Sequence, residues 1–183
     1  MTEAAADRLR IRRVAAGTLT AGETAAVRRL LWAAFADVDP MTEADWARAI
    51  VGEHFVADED GEIVAYASVA ERKLAVAGRP IRTGYVEGVA VVPARQRSGI
   101  GSRLMRIVDA YIDESFELGG LGTGFNGFYE RLGWKTWQGN SSVRTANGSR
   151  PTPDEDGYIM VLTTRSSPAL DTTAPIECEG VAW

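Results

Sequence analysis

The stretch Tyr85 to Leu104 constrains this chain more than any other. An apolar run, Val86-Glu87-Gly88-Val89-Ala90-Val91-Val92, breaks at Pro93, and Arg95-Gln96-Arg97-Ser98-Gly99-Ile100-Gly101 follows before an amphipathic segment begins. The run is apolar, rich in β-branched residues and stopped by proline, so it reads as a strand; the segment after the glycines reads as a helix. A strand that empties through a glycine-bearing basic loop into a helix aims free backbone N–H groups and the positive end of a helix dipole at one spot. Such a spot suits a pyrophosphate.

Spacing separates the known phosphate loops. A P-loop requires Gly-x-x-x-x-Gly-Lys-Ser/Thr, and no lysine follows Gly99 or Gly101; a dinucleotide fingerprint requires a third glycine, and Gly101 is followed by Ser102-Arg103-Leu104. The pattern Gln/Arg-x-x-Gly-x-Gly/Ala is filled by Gln96, Gly99 and Gly101. This segment resembles the acyl-CoA pyrophosphate loop of the GNAT N-acetyltransferase superfamily. The resemblance implies a GNAT fold of α/β (α+β) class, with a central mixed, mostly antiparallel sheet and helices on both faces.

Charge points the same way. The chain is acidic, with 20 Lys+Arg against 25 Asp+Glu and a formal net charge of −5, yet from Pro93 to Val108 the only charges are Arg95, Arg97, Arg103 and Arg106. That cluster is either a solvated helix face or the footprint of a polyanionic ligand. The overall balance and the shortness of the patch argue against nucleic acid, which needs a long basic track.

The 183 residues make a single domain, 1–183, with room for a sizeable core, and 45% hydrophobic with 25% charged residues is ordinary for a soluble fold. No apolar run approaches the ~20 residues that cross a bilayer, so no membrane partner is expected. The first residues, with Glu3 and Asp7 among alanines, contain no long apolar region and predict no secretory leader. Cys178 stands alone, which rules out an internal disulfide and is consistent with a reducing cytoplasm. One His54 and one Cys178 exclude zinc sites built mainly from those ligands, and no metal is expected.

Periodicity and turn residues organise the rest. Arg8 to Val14 reads as a strand, Thr20 to Phe35 as a helix capped by Thr20, and Thr42 to Ile50 as a second, short helix. His54 to Ala57 and Ile63 to Arg72 read as a hairpin turned at Asp58-Glu59-Asp60-Gly61, and Ala77-Gly78 turns the chain toward a strand beginning near Thr83. Leu118 to Thr123 is a further strand, and Phe125 to Leu132 a helix ended by Gly133. Asn147-Gly148 marks a hairpin whose second strand is expected near Tyr158 to Leu162. Thr163 to Trp183 reads as mostly irregular.

Three positions carry candidate chemistry. Gly88 inside a β-branched strand is either a tolerated glycine or a bulge; a bulge would leave N–H groups near Val89 and Val91 to bind an amide arm or polarise a thioester carbonyl. Glu87 is either a surface carboxylate or a base in a cleft, and an attacking amine must lose a proton before it is acylated. Tyr129, in Phe128-Tyr129-Glu130-Arg131-Leu132-Gly133-Trp134, is either helix packing or an acid, and the segment resembles the GNAT element whose tyrosine reaches the leaving sulfur. A phenol of pKa ~10 stays protonated at neutral pH; transfer to a thiolate whose acid has pKa ~8.5 is uphill by roughly 2 kcal/mol. A dry site raises the thiolate's basicity and offsets that.

Acidic residues recur elsewhere: Asp37, Asp39 and Asp45 beside Trp46; Asp154, Glu155 and Asp156; and the ending Glu177-Cys178-Glu179-Gly180-Val181-Ala182-Trp183 with a free carboxylate. Each is a solvated turn when taken singly; converging near Glu87 they would hold a polycation, and Trp137 or Trp183 could line a sugar ring.

Over nearly its whole length the chain is similar to the aminoglycoside 2′-N-acetyltransferases of actinobacterial type. The matching residues are Asp45-Trp46, Gly84-Tyr85-Val86-Glu87-Gly88-Val89-Ala90-Val91, Tyr129 to Trp134, Thr152 to Gly157, Leu170-Asp171-Thr172 and Trp183. The resemblance implies acetyl-CoA as co-substrate at Val89, Ala90 and Val91 and at Gln96, Arg97, Ser98, Gly99, Ile100 and Gly101. It implies Glu87 acting through water and Tyr129 as acid. It also implies an aminoglycoside held by Asp39, Asp45, Glu87, Gly88, Gly122, Thr123, Glu155, Asp156 and Trp183, and a homodimer. Gly120, Gly122, Thr123 and Gly124 depart from the family's serine-rich turn, and Phe125-Asn126-Gly127 replaces a basic stretch, which puts the drug range in question. Two other readings stand beside 2′-acetylation: acetylation of another small polyamine or amino sugar, and a non-catalytic acyl-CoA sensor.

Overall fold

The computed structural model describes residues 8–37, 39–180 and 183. Glu3 and Asp7, read above as belonging to a segment without a leader, lie outside the described residues, as do Val38, Val181 and Ala182. In chain order the elements are β1 (Leu9–Val14), α1 (Ala21–Phe35), α2 (Glu43–Ala49), β2 (Glu53–Glu59), β3 (Glu62–Val76) and β4 (Arg79–Val91). A 3-10 turn at Pro93–Arg95 leads to α3 (Ile100–Ser115), β5 (Leu118–Gly122), α4 (Asn126–Glu130), β6 (Lys135–Thr136), β7 (Ser141–Thr145) and β8 (Gly148–Pro151). A second such turn at Pro153–Glu155 precedes β9 (Ile159–Thr163) and β10 (Ile176–Glu179). Two compact units result: Met1–Ala70 with Val86–Val108, and Glu71–Tyr85 with Asp109–Trp183.

In the first unit β1, β2 and β3 form an antiparallel ladder, from Leu9↔Glu59 to Val14↔His54 and from Glu53↔Val69 to Glu59↔Glu62. Asp60 (φ 51°) and Gly61 (φ 88°) close the β2–β3 turn in the left-handed region that matches the twist of a two-residue hairpin. α1 starts in a capping box: the Thr20 hydroxyl accepts from the Glu23 N–H at 3.2 Å, and the Glu23 carboxylate accepts from the Thr20 N–H at 2.8 Å. Val27, Leu30 and Leu31 share one helix face and bury it against Val56, Tyr66, Ala90 and Ala49. Each such side chain contributes about 1.5–3 kcal/mol by leaving water. A buried polar chain anchors α2 to the same sheet: the Tyr66 hydroxyl donates to the Ala49 carbonyl at 2.9 Å and lies 2.8 Å from His54 Nδ1.

In the second unit the strand order runs β6-β9-β5-β4-β3-β10-β7-β8. The β4–β5 and β10–β7 pairs are parallel, while β5–β9, β6–β9, β10–β3 and β7–β8 are antiparallel. The expected mixed, mostly antiparallel α+β arrangement is therefore present. Leu74, Ile81, Leu118, Trp137, Val143, Val161, Ile176 and Cys178 belong to its buried core.

Two sequence expectations fail here. The strand paired across Asn147-Gly148 is β8, with Thr145↔Gly148 to Ser142↔Pro151, whereas β9 pairs with β5 and β6. Thr163 to Trp183 is not wholly irregular, because β10 enters between β3 and β7, pairing Cys178 with Leu74 and Val143. Its inward residues Ile176 and Cys178 are fully buried, which is what selects the strand despite its polar neighbours.

Candidate active site

Within the first unit, the carboxyl half of β4 and the loop after it carry most of the expected cofactor groups. Gly88 has φ 58°, and a Cβ there would stand 3.2 Å from the Ala49 Cβ and 3.3 Å from Leu31, so both the backbone angle and the space favour glycine. Ala90 is buried with Leu31 and Ala49, leaving its backbone as the part available to a ligand; Val89, Val91 and Glu87 are half-buried. The ladder to β5 covers Thr83 to Tyr85, so Glu87 to Val91 lie beyond it. The Glu87 carbonyl accepts from the Ser68 hydroxyl at 3.5 Å.

Gln96, Arg97, Ser98 and Gly99 are exposed, and the loop is held by its own bonds: Ser98 Oγ donates to the Arg95 carbonyl at 2.5 Å and Gln96 Nε2 to the Val91 carbonyl at 3.3 Å. Arg97 has φ 59°, a sparsely populated angle for a side chain of its size, and Gly99 has φ 86°. A Cβ on Gly99 would meet nothing within 4 Å. The position faces open space at the N-terminus of a 16-residue helix, where the first N–H groups have no intrahelical acceptor. That combination fits the pyrophosphate of acetyl-CoA. The basic cluster is smaller than its sequence suggests, because the Arg95 guanidinium is engaged by both carboxylate oxygens of Glu59. Arg97, Arg103 and Arg106 remain exposed.

Of the early acids, Asp39 is exposed just past α1, and Asp45 caps α2, accepting from the Thr42 N–H at 2.8 Å and its hydroxyl at 2.6 Å while pairing with Arg48. Burial pushes the Asp45 carboxyl up, but Thr42 and Arg48 together hold it below the ordinary range.

Within the second unit Tyr129 lies on α4 and is 7% exposed. Its ring meets Phe128 (centroids 4.9 Å, 82°) and Trp134 (6.1 Å, 71°), both edge to face. Its carbonyl accepts from the Leu132 and Trp134 N–H groups at 2.9 and 3.2 Å. Burial, and then the Asp109 carboxylate, push the phenol above its usual value, so it is protonated at neutral pH.

The remaining substrate candidates gather around Thr152 to Tyr158. The Thr123 N–H donates to the Tyr158 carbonyl at 2.9 Å, next to Gly122, and Asn126 Nδ2 donates to the Gly157 carbonyl at 3.0 Å. Asp156 accepts from the Ser141 N–H at 2.8 Å and its hydroxyl at 2.7 Å, while Trp183 Nε1 donates to Thr152 Oγ1 at 3.0 Å. Glu155 is half-buried, and desolvation, reinforced by Asp154, raises its carboxyl. The departure at Gly120 has a steric reason, since a Cβ there would lie 3.0 Å from the Tyr85 ring; at Gly122 it would make only ordinary contact, 3.4 Å from the Tyr85 hydroxyl. The Arg72 guanidinium carbon lies over the Tyr85 ring, 4.0 Å from its centroid.

Sequence reasoning missed Asp109, whose Oδ1 accepts from Trp134 Nε1 at 3.1 Å. A signal was present: Met105, Val108 and Ile112 form the buried stripe of α3, and Asp109 falls on the same stripe by spacing. Among the described residues no three His, Cys, Asp or Glu side chains gather as a metal site, and no helix is long and apolar enough to cross a membrane.

Residues 16–137 match the acetyltransferase (GNAT) domain family. The chain is 35% identical, over 150 residues, to an aminoglycoside 2′-N-acetyltransferase of Mycolicibacterium fortuitum, covering 78% of this chain and 76% of that protein. In fold it is similar to a GNAT family acetyltransferase from Brucella melitensis in complex with acetyl-CoA, with TM-score 0.62 and 21% identity over 92% of this chain and 94% of that one. It is likewise similar to the GNAT family N-acetyltransferase YhbS of Escherichia coli in complex with CoA, with TM-score 0.62 and 15% identity over 93% of this chain and 89% of that one.

Proposed function

The chain belongs to the GNAT acetyltransferase family, and from that premise we propose that it transfers an acetyl group from acetyl-CoA to the 2′-amino group of aminoglycosides. The observation that carries this reading is the 35% identity to the aminoglycoside 2′-N-acetyltransferase over most of both chains. When bound, acetyl-CoA supplies the acyl group as a reactive thioester. The Gln96–Gly101 backbone and the N-terminus of α3 hold its pyrophosphate, and the backbone of Val89 to Val91 binds its amide arm. Glu87 takes, through a water, the proton the amine loses. Tyr129 delivers a proton to the departing sulfur, and its burial fits that role, since a dry setting also raises the basicity of the thiolate. For the polycationic drug the resemblance offers Asp39, Asp45 and Gly88 in the first unit, and Gly122, Thr123, Glu155, Asp156 and Trp183 in the second. The resemblance also carries a homodimer and a cytoplasmic setting into this reading; light scattering of the purified chain checks the first.

The test is a thiol-release assay with acetyl-CoA and a panel of aminoglycosides, followed by NMR of the product from a drug with both 2′ and 6′ amines. Acetylation at the 2′ nitrogen is expected, with no reaction at that position in drugs bearing a 2′-hydroxyl. Acetylation at 6′ overturns the regiochemistry. No turnover with any aminoglycoside, alongside turnover of another polyamine or amino sugar, overturns the substrate class.

A further inference from the structure

Trp134 is 2% exposed, and its indole is held at two ends: Nε1 donates to Asp109 Oδ1 at 3.1 Å, and the far edge of the ring lies so close to β5 that a Cβ on Gly119 would come within 3.1 Å of it. The same indole stands edge to face with Tyr129, whose carbonyl accepts from the Trp134 backbone N–H. Tyr129 itself makes no hydroxyl hydrogen bond among the described residues. The direction of its phenol therefore depends on the packing of the Phe128 and Trp134 rings, and the second of these is held at its Nε1 by one carboxylate.

We propose that Asp109 is the positioning residue of the Tyr129 acid, setting the phenol through the Trp134 indole without touching substrate itself. The inference rests on the reading of Tyr129 as proton donor. Folding alone gives a poor reason for an acid here. Burial pushes the Asp109 carboxyl up to about 7, with the Trp134 N–H pulling the other way. The folded chain thus binds this proton more tightly than the unfolded chain, so stability is greatest below the ordinary carboxylate pKa and falls as pH rises through about 7. A group whose ionisation opposes folding, beside a residue assigned to chemistry, fits a functional constraint.

The experiment measures kcat, KM and thermal melting in Asp109→Leu, Asp109→Asn, Trp134→Phe and Tyr129→Phe. Asp109→Leu and Trp134→Phe, which each remove the hydrogen bond, should lower kcat about 10- to 100-fold while both KM values move less than about threefold. Asp109→Asn still accepts the indole N–H and should recover most of that loss, while its gain in melting temperature over the parent is larger at pH 8 than at pH 5. In a Tyr129→Phe background, Asp109→Leu should change kcat less than about twofold, because the two act on one step. Asp109→Leu and Trp134→Phe both within twofold of the parent, Asp109→Asn no better than Asp109→Leu, or additivity with Tyr129→Phe each overturn the proposal. If Asp109→Leu does not fold, Trp134→Phe decides. A Tyr129→Phe variant with parental kcat overturns the acid reading instead, whereas a slow Tyr129→Phe beside a fast Trp134→Phe overturns only the role of Asp109.

Discussion

The Gln96–Gly101 loop and the Tyr129–Trp134 element are both short, and they are built on opposite principles. The loop is exposed, offers backbone N–H groups, and is shaped by two residues in the left-handed region, Arg97 and Gly99. In the second element Tyr129 is buried against Phe128 and Trp134 and offers one hydroxyl. A site made of backbone tolerates changes of side chain but not of backbone angle; a site made of one side chain fails with the loss of one atom.

Four substitutions test that contrast. Tyr129→Phe should lower kcat by about 10²–10⁴-fold, roughly 3–5 kcal/mol, while calorimetry shows acetyl-CoA binding unchanged. Single-turnover rates equal to the parent's would break the contrast at its stronger end. Gly99→Val adds strain of about 1–3 kcal/mol at φ 86° and places a branched side chain where the ligand approaches, so acetyl-CoA affinity should weaken about tenfold or more. Unchanged affinity by calorimetry sinks the placement of the pyrophosphate. Trp183→Ala removes the 3.0 Å bond to Thr152 and should raise the aminoglycoside KM about three- to tenfold with kcat nearly constant, as expected where a contact binds ground and transition states alike. Arg97→Gly deletes a charge but relieves a strained angle, and the two effects offset. Acetyl-CoA affinity should therefore change less than about fivefold, and a loss as large as that of Gly99→Val would mean the loop works through its side chains.

What was legible in the sequence was local. The β4–loop–α3 unit could be read because proline and glycine punctuate it and periodicity changes across it, and Thr20 was readable as a cap from its place before an apolar stripe. Asp45 was read as a substrate acid; Thr42-Glu43-Ala44-Asp45 also has the spacing of a capping box, which that reading left out, and the structure has its carboxylate accepting at that cap. Asp109 went unread because an acid on a helix is ordinarily assigned to solvent; only the spacing to Met105 and Ile112 gave it away. The pairing of Arg95 with Glu59 was beyond sequence altogether, since it joins residues 36 positions apart. The same holds for β10, four residues whose alternation is too short to stand out from the serine, threonine and proline around it.

That late strand also bears on how the protein reaches its structure. Cys178 pairs with Leu74, so the ladder between β3 and β10 joins positions about a hundred residues apart, and β7 and β8 reach β3 only by way of it. Loop closure of that span must precede any gain from the contacts it brings, and contacts of such long sequence separation slow folding. During synthesis the inner edges of β3 and β7 wait unpaired until Ile176–Glu179 leaves the ribosome, and for that interval the nascent chain carries two open strand edges on which chaperones, or another copy, can act.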